Sequence, residues 1–203
     1  MKKLIILNKI MIFVTIITSI SYSLKSIIDL NLYNALIRLS IILIIFIPNI
    51  LEKLFKIKIS EASKLLYVTF IFLAHFLGSI INFYNTVYWY DTFAHILSGI
   101  LVFFLGLEFL INIKKYDKNN IYFNVLFIIS LSFMIAGIWE FFEFTCDKLF
   151  NKDAQHVLTT GVNDTMKDMI VAILGTSSMA IIYLFEQTNK LKLFITKFIE
   201  QVK

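Results

Sequence analysis

Long apolar runs separated by short polar segments are the main pattern along the chain. Runs of roughly 18 to 25 apolar residues have the length that an α-helix needs to cross the hydrocarbon core of a membrane. The predicted helices lie near Leu4–Leu24, Tyr33–Leu51, Leu65–Tyr84, Asp91–Ile113, Ile121–Asp147 and Asp164–Glu186. The pattern therefore predicts an all-α fold, a polytopic transmembrane helix bundle of about six spans.

The composition also indicates a chain whose solvent is lipid. Hydrophobic residues make up 59% of the 203 residues and charged residues 16%, whereas about 25% of the residues in an average soluble domain are charged. The net charge of +5 comes from lysines that flank the apolar runs, where anionic lipid headgroups are nearer partners than a nucleic acid. We therefore expect the lipid bilayer as the partner and no nucleic-acid binding, and the sequence indicates no particular protein partner.

The distribution of lysines predicts the orientation of the chain in the membrane. Clusters of lysine lie in alternate segments, at positions 2–9, 53–64, 114–118 and 190–203. The other connections contain only Lys25, Lys148 and Lys152, with Lys167 in the first turn of the last predicted helix. The positive-inside rule therefore places both termini in the cytoplasm, with anionic lipids at the inner face. The connections after the first, third and fifth helices then lie on the non-cytoplasmic side.

We predict one transmembrane helical domain over residues 1–187, followed by a basic amphipathic cytoplasmic tail over residues 188–203. No internal repeat or Pro/Gly-rich linker divides residues 1–187. The only proline is Pro48, near the cytoplasmic end of the second predicted helix. The tail interleaves lysines with apolar residues at helical spacing, which is typical of a helix lying on the inner leaflet. Its apolar residues include Leu191, Phe194, Ile195, Phe198 and Val202.

Ionisable residues from three predicted helices meet on the non-cytoplasmic side. Asp91 and His95 open the fourth helix, four residues apart on one helical face. The fifth helix ends, and the last helix begins, with further acidic residues at helical spacing. These are Glu140, Glu143 and Asp147 in the fifth helix, and Asp164 and Asp168 in the last. Ionised carboxylates at this depth are costly unless they are paired, protonated or bound to a cation.

Three ways of neutralising these carboxylates are open: a bound metal ion, protons shared between carboxylates, or Arg38 as a charge partner. Arg38 is the only arginine, and it lies in the second predicted helix. An Asp/Glu/His set suits a divalent zinc, manganese, iron or magnesium ion, and Cys146, the only cysteine, cannot form a thiolate cluster alone. The candidate metal ligands are Asp91, His95, Glu140, Glu143, Asp164 and Asp168, the candidate catalytic residues are Glu140, Glu143 and His95, and possible additional ligands are His75, Gln155 and His156.

Three segments resemble the YjdF-type family of bacterial inner-membrane proteins, which is functionally uncharacterised. They are Trp89–Gly99 (WYDTFAHILSG), Trp139–Glu143 (WEFFE) and Gly161–Asp168 (GVNDTMKD). The resemblance implies a multi-pass protein of the bacterial cytoplasmic membrane whose polar cluster is a shared family feature, and it supplies no reaction. A more distant likeness is to VanZ-like proteins, which show a similar Asp-x-x-x-His opening, a glutamate that ends one helix and an Asp that opens the next. They are associated with glycopeptide resistance. This chain departs from them around the glutamate, so resistance is not implied.

The sequence leaves three classes of function open, and it leaves open whether the chain is an enzyme. A metal held by the cluster could activate water against a lipid or envelope substrate, as in a metal-dependent membrane enzyme. The same carboxylates could bind a cation or relay protons in a transporter, although the inner half of the membrane offers only Glu108. In the third class, a structural or sensory envelope protein, the cluster holds the helices together and performs no chemistry.

Overall fold

The computed structural model describes residues 2–151 and 153–202. Over these residues it is all-helical and contains no strand, which confirms the predicted all-α fold. The α-helices are α1 Lys2–Ile28, α2 Leu32–Ile44, α3 Ile47–Phe55, α4 Glu61–Ile71, α5 Phe83–Thr86, α6 Tyr90–Asn112, α7 Ile121–Phe150, α8 Val157–Thr160, α9 Asn163–Thr188 and α10 Phe194–Val202. Within the described ranges, five helical segments are long and apolar enough to cross a membrane, or six if the bent pair α2–α3 crosses as one span. The five are α1, α6, α7, α9 and the segment Glu61–Ile80, in which α4 continues as a π-helix.

Helix α1 is polar where it is buried and apolar where it is exposed. Its buried residues are small and polar, and they are Asn8, Thr15, Ser19, Ser23 and Ser26. Its exposed large hydrophobic residues include Ile6, Ile10, Phe13, Ile17 and Leu24. A helix in water shows the opposite distribution, whereas small polar residues between helices and large apolar residues outside them are typical of packing in lipid.

The chain divides into two compact units, Met1–Ala94 and His95–Lys203. The division falls inside α6, which is one unbroken helix. Asp91 and His95 therefore stay one helical turn apart on this helix, although the division separates them. That residues 1–187 act as a single domain stays a prediction.

In the first unit, Pro48 explains why the second predicted span is bent. The proline ring clashes with the carbonyl group four residues earlier in a continuous helix, and α2 ends at that residue, Ile44. Helix α3 then begins with Pro48 in its first turn and is inclined by 45° to α2. The Tyr67 hydroxyl of α4 donates a hydrogen bond to the Ile44 carbonyl oxygen, at 2.7 Å. This bond satisfies a backbone group at the break.

The third predicted span also departs from a regular α-helix. It begins as α4 and continues as a π-helix over Phe72–Ile80, a form that is rare and often found at functional sites. His75 lies in this segment and is buried. Gly78 packs directly against the Tyr84 ring. A Cβ atom at this position would lie 2.3 Å from the nearest ring carbon. A side chain at Gly78 would therefore displace Tyr84.

In the second unit, the long helices α7 and α9 run antiparallel. Thr176 Oγ1 lies 2.7 Å from Ser132 Oγ, and Asn124 Nδ2 donates to Tyr183 Oη at 3.1 Å. The pairs run in opposite directions along the two helices, since Asn124 precedes Ser132 and Tyr183 follows Thr176. Polar contacts therefore fix the register of the α7–α9 interface.

The C-terminal segment forms α10, which packs on other helices of the second unit. The Glu186 carboxylate accepts hydrogen bonds from the backbone N–H groups of Ile195, at 3.0 Å, and Thr196, at 2.7 Å. The centroid of the Phe198 ring lies 5.1 Å from the centroid of the Phe104 ring. A helix in the tail was predicted, and its apolar side here contacts the protein. That α10 also touches the inner leaflet stays a prediction.

Candidate functional site

Helices α6 and α9 bring His95 and Asp168 together. His95 Nε2 lies 3.9 Å from Asp168 Oδ2, and Asp168 is only 4% exposed. Asp91 stands one turn before His95 on α6, and the three side chains offer ligand atoms that all lie within 4.8 Å of one another. Ligand atoms that share one zinc ion are about 3.5 Å apart. The three side chains are therefore close to the separation that a single metal ion requires.

Glycine residues allow the two helices to approach at this point. A Cβ atom at Gly99 would lie 1.9 Å from the Ala172 carbonyl oxygen, and one at Gly175 would lie 2.2 Å from the Ile96 carbonyl oxygen. Such contacts are with backbone atoms, so a larger residue would push the helices apart. Small residues have this role at many helix interfaces in membranes. The distance between His95 and Asp168 therefore depends on these glycines.

Lys167 adds a positive charge at the edge of the site. Its Nζ atom lies 2.8 Å from Asp164 Oδ1 and 3.5 Å from Asp168 Oδ1. The lysine side chain is 44% exposed, whereas that of Asp168 is 6% exposed. Asp164 is thus engaged in an exposed ion pair, and such pairs contribute little to stability. The same lysine offsets part of the negative charge of Asp168.

A second buried carboxylate, Glu140, is held by Gln155. The Gln155 side-chain amide donates toward Glu140 Oε2, at 3.2 Å, and lies 3.3 Å from Thr165 Oγ1. Asp147 accepts hydrogen bonds from the backbone N–H groups of Ala154, at 2.6 Å, and Gln155, at 3.1 Å. Asp147 therefore anchors the connection between α7 and α8, and this connection places Gln155 over Glu140.

The register of α7 and α9 relates the two buried carboxylates. Continuing the Ser132–Thr176 pairing by one turn of four residues brings Ala136 to the level of Ala172, and both are buried. One more turn brings Glu140 to the level of Asp168, since each step of four residues advances about 6 Å along both helices. Glu140 and Asp168 therefore lie at similar depth on neighbouring helices.

The structure does not gather all the predicted site residues. Among the described residues, the group of possible metal ligands comprises Asp91, His95 and Asp168. Glu143 accepts a hydrogen bond from Trp139 Nε1 at 2.9 Å, on the exposed side of α7. The structure thus separates Glu140, Glu143 and Asp164 from that group.

Arg38 and the remaining histidines have local surroundings of their own. Arg38 donates hydrogen bonds to the Tyr22 carbonyl oxygen, at 2.9 Å, and to Ser26 Oγ, within the first unit. Its role as charge partner of the acidic cluster stays a prediction. His75 is buried in the π-helix of that unit, and His156 is exposed at the start of α8 with a φ of 52°.

The residues that support the site were not among the candidates predicted from the sequence. Thr176 is fully buried, and its Oγ1 atom lies 2.8 Å from the Gly99 carbonyl oxygen. A signal was present, because small residues recur at helical spacing after Asp168. They are Ala172, Gly175, Thr176 and Ala180. Such a stripe on an apolar helix predicts a close helix interface.

Comparison with known proteins gives a family and one relative without an assigned function. The description "Predicted membrane protein (DUF2238)" applies to the family that matches residues 6–189. An "Uncharacterized protein" of Thermotoga maritima is 27% identical over 145 residues, which cover 71% of this chain and 73% of that protein. No solved structure matches the chain.

These matches agree with the resemblance to YjdF-type proteins, because DUF2238 is the YjdF family, and they do not extend to the VanZ-like proteins. The match over residues 6–189 includes all of α6, α7 and α9, and hence every helix of the site. The chain therefore belongs to the DUF2238 family of predicted membrane proteins.

Proposed function

We propose that this membrane protein binds a divalent metal ion through Asp91, His95 and Asp168. The observation that supports the proposal is the clustering of their three ligand atoms within 4.8 Å of one another. One imidazole and two carboxylates suit zinc, manganese or iron better than magnesium, which prefers oxygen ligands alone. The buried position of Asp168 adds to the argument, because a bound cation would offset the cost of its charge.

We further propose that the metal serves an enzyme acting on a lipid or envelope substrate. Structural zinc sites have four protein ligands, whereas catalytic sites have three and keep a position for water. Such a metal supplies an activated water when it is bound. Glu140 is the candidate proton acceptor, because it is a buried carboxylate at the depth of Asp168 and Gln155 holds its side chain. His95, on α6, has its Nε2 atom 3.9 Å from Asp168 Oδ2 on α9, so its imidazole is placed to share the metal with that carboxylate.

The metal content of the purified protein tests the proposal. The protein in mild detergent is incubated with zinc, manganese or iron, freed of excess metal, and analysed by elemental mass spectrometry. We expect about one ion per chain, and its loss in His95→Ala and Asp168→Asn. Glu143→Gln and Asp164→Asn remove carboxylates outside the ligand group and are the matched controls, so both keep the metal.

Gel filtration and thermal unfolding show whether each variant is folded before its metal is counted. Unaltered protein that takes up none of the three metals contradicts the proposal. Equal metal content in Asp168→Asn and Asp164→Asn contradicts it as well, because the site would then not depend on the ligand group. The catalytic part is tested separately by Glu140→Gln, which we expect to keep the metal and to lose hydrolysis of an envelope lipid.

A structural or sensory role is the second candidate, and Lys167 favours it. The Lys167 ammonium group already lies 3.5 Å from Asp168, so an internal cation could serve in place of a metal. This alternative predicts that Lys167→Gln lowers the unfolding temperature as much as Asp168→Asn does. Under the metal proposal, Lys167→Gln leaves metal binding intact or strengthens it, because a competing positive charge is removed.

Transport of protons along the α7–α9 interface has less support. Glu140 and Ser132 are successive polar residues of α7 at the interface with α9. They are eight residues apart, which is about 12 Å along the helix. Ala136 and Ala172 occupy the level between them, and their methyl groups cannot carry a proton. A relay along this interface would therefore need water to enter between two buried alanines.

A further inference from the structure

A polar cavity of about 260 Å³ lies in the first unit, where α1 ends and α2 begins. Its lining combines two cations with one carboxylate and several hydrogen-bonding side chains. They include Lys25, Arg38, Asp29, Tyr22, Asn31 and Asn34. A cavity with this lining is unusual in an otherwise apolar segment. The excess of positive charge indicates an anionic ligand.

Arg38 is fixed in the wall of this cavity. Its Nη1 atom donates to the Tyr22 carbonyl oxygen at 2.9 Å and to Ser26 Oγ, and its guanidinium lies 5.7 Å from the centre of the Tyr22 ring. Both hydrogen bonds use Nη1, so the donors on Nη2 and Nε have no protein partner among the described residues of the first unit. A guanidinium held in this way presents its remaining N–H groups without a further loss of side-chain entropy.

Arg38 forms no direct ion pair with the described residues of the first unit, although the Asp29 carboxylate lines the same cavity. Among its described residues, no carboxylate lies within 4.0 Å of a nitrogen atom of Lys25 or Arg38. Arg38 lies six residues into α2, which is about 9 Å from the helix start. An unpaired charge at this depth in a span is costly, and intramembrane arginines usually have a partner. The carbonyl and hydroxyl groups satisfy hydrogen bonds of Arg38 but supply no opposite charge.

We propose that this cavity binds a phosphate group, held between Arg38 and Lys25. Phosphate oxygens accept hydrogen bonds from the guanidinium fork in a geometry that matches it, and Lys25 adds a second positive charge at the exposed edge. Asn31 and Asn34 supply side-chain amides at the same cavity. The phosphate is either a free ion or the headgroup of a phospholipid. The site belongs to the first unit and does not depend on the metal proposal.

Binding is measured in a maltoside detergent, which contains no phosphate, with the full chain and two probes. In the first arm, radiolabelled inorganic phosphate is followed by equilibrium dialysis. In the second arm, phosphatidylglycerol is added and the bound lipid is counted by native mass spectrometry. We expect one site per chain in one of the arms. Lys25→Gln should weaken it at least about five-fold, the lower range for loss of one unit charge at contact distance.

Lys148→Gln is the matched control, because Lys148 is an exposed lysine of the second unit and its loss changes the net charge equally. Arg38→Gln should abolish binding. Lys25→Gln keeps the test decisive if Arg38→Gln does not fold, since the Lys25 side chain is exposed and makes no hydrogen bond with the described residues. Lys25-dependent binding of phosphate supports a free-ion site, and Lys25-dependent binding of lipid alone supports a headgroup site. Absence of binding in both arms, or equal loss in Lys25→Gln and Lys148→Gln, overturns the proposal.

Discussion

At Thr176 a single hydroxyl group meets two other helices. Its Oγ1 atom lies 2.8 Å from the Gly99 carbonyl oxygen of α6 and 2.7 Å from Ser132 Oγ of α7. The residue is fully buried, so no water replaces these bonds when they are lost. One residue therefore helps to fix both helix interfaces that position Asp168.

Replacing Thr176 by valine should destabilise the second unit. Thr176→Val keeps the shape of the side chain and removes both hydrogen bonds, and we expect a loss of about 1 kcal/mol in the free energy of unfolding. Thr188→Val is the control, because the Thr188 hydroxyl bonds within its own helix and is exposed. Denaturant unfolding in detergent measures both variants. Equal effects would mean that the bonds between helices contribute nothing.

At the scale of elements, the approach of α6 to α9 makes a second prediction. Gly99→Ala and Gly175→Ala should each cost about 1–3 kcal/mol, because an added methyl group meets backbone atoms that cannot yield without moving a helix. Gly137→Ala is the control, since the nearest atom to its Cβ position is a methionine methyl at 3.9 Å. Thermal unfolding measures the three variants.

The same variants should also weaken the proposed metal site. Separating α6 from α9 moves His95 away from Asp168, and supporting changes of this kind typically lower metal affinity about 10–100-fold. Gly137→Ala should keep the affinity of the unaltered protein. A titration with the metal that the protein retains measures this effect. Stable Gly99→Ala protein with unchanged affinity would contradict the view that glycine packing sets the ligand distance.

The bend between α2 and α3 gives the third prediction. Tyr67→Phe removes the hydroxyl that satisfies the Ile44 carbonyl, so we expect a loss of about 1 kcal/mol in the free energy of unfolding. Tyr122→Phe, at a tyrosine that is 69% exposed on α7, should have no effect. Unfolding curves for the two variants decide the matter, and coincident curves would show that Ile44 has another partner.

At the scale of the whole molecule, the α2–α3 pair decides how many times the chain crosses the membrane. Helix α2 has 13 residues and α3 has 9. With the 45° bend, they advance about 20 Å and about 10 Å along one direction, which together equals the thickness of the hydrocarbon core. We therefore expect the pair to cross as one span, for a total of six.

The fourth prediction follows from this number of spans. Six spans place both termini on the same side, and the lysine distribution predicts that this side is the cytoplasm. A fluorescent reporter that folds in the cytoplasm, fused to either end, should be active. A phosphatase reporter that folds only outside should be inactive at both ends. Opposite results at the two ends would mean five spans, with the α2–α3 pair returning to the side from which it entered.

Some of the site could be predicted from the sequence, and some could not. The pairing of Asp91 with His95 follows from helical spacing alone, and the structure keeps it in α6. The choice among Glu140, Glu143, Asp164 and Asp168 could not be predicted, because facing between helices depends on their rotation about their axes. Glu143 lies one turn from Glu140 and yet bonds to the exposed Trp139.

The sequence by itself determined that the chain is helical and built for lipid, because hydropathy and helix length are properties of contiguous residues. The break near Pro48 also has a local cause, since the proline ring acts on its own helix, although one helix was predicted over Tyr33–Leu51. Only the tertiary structure decided that Asp168 meets His95 and that Gln155 covers Glu140. Those contacts depend on register, rotation and distance between helices, which the close packing at Gly99 and Gly175 and the bonds of Thr176 fix together.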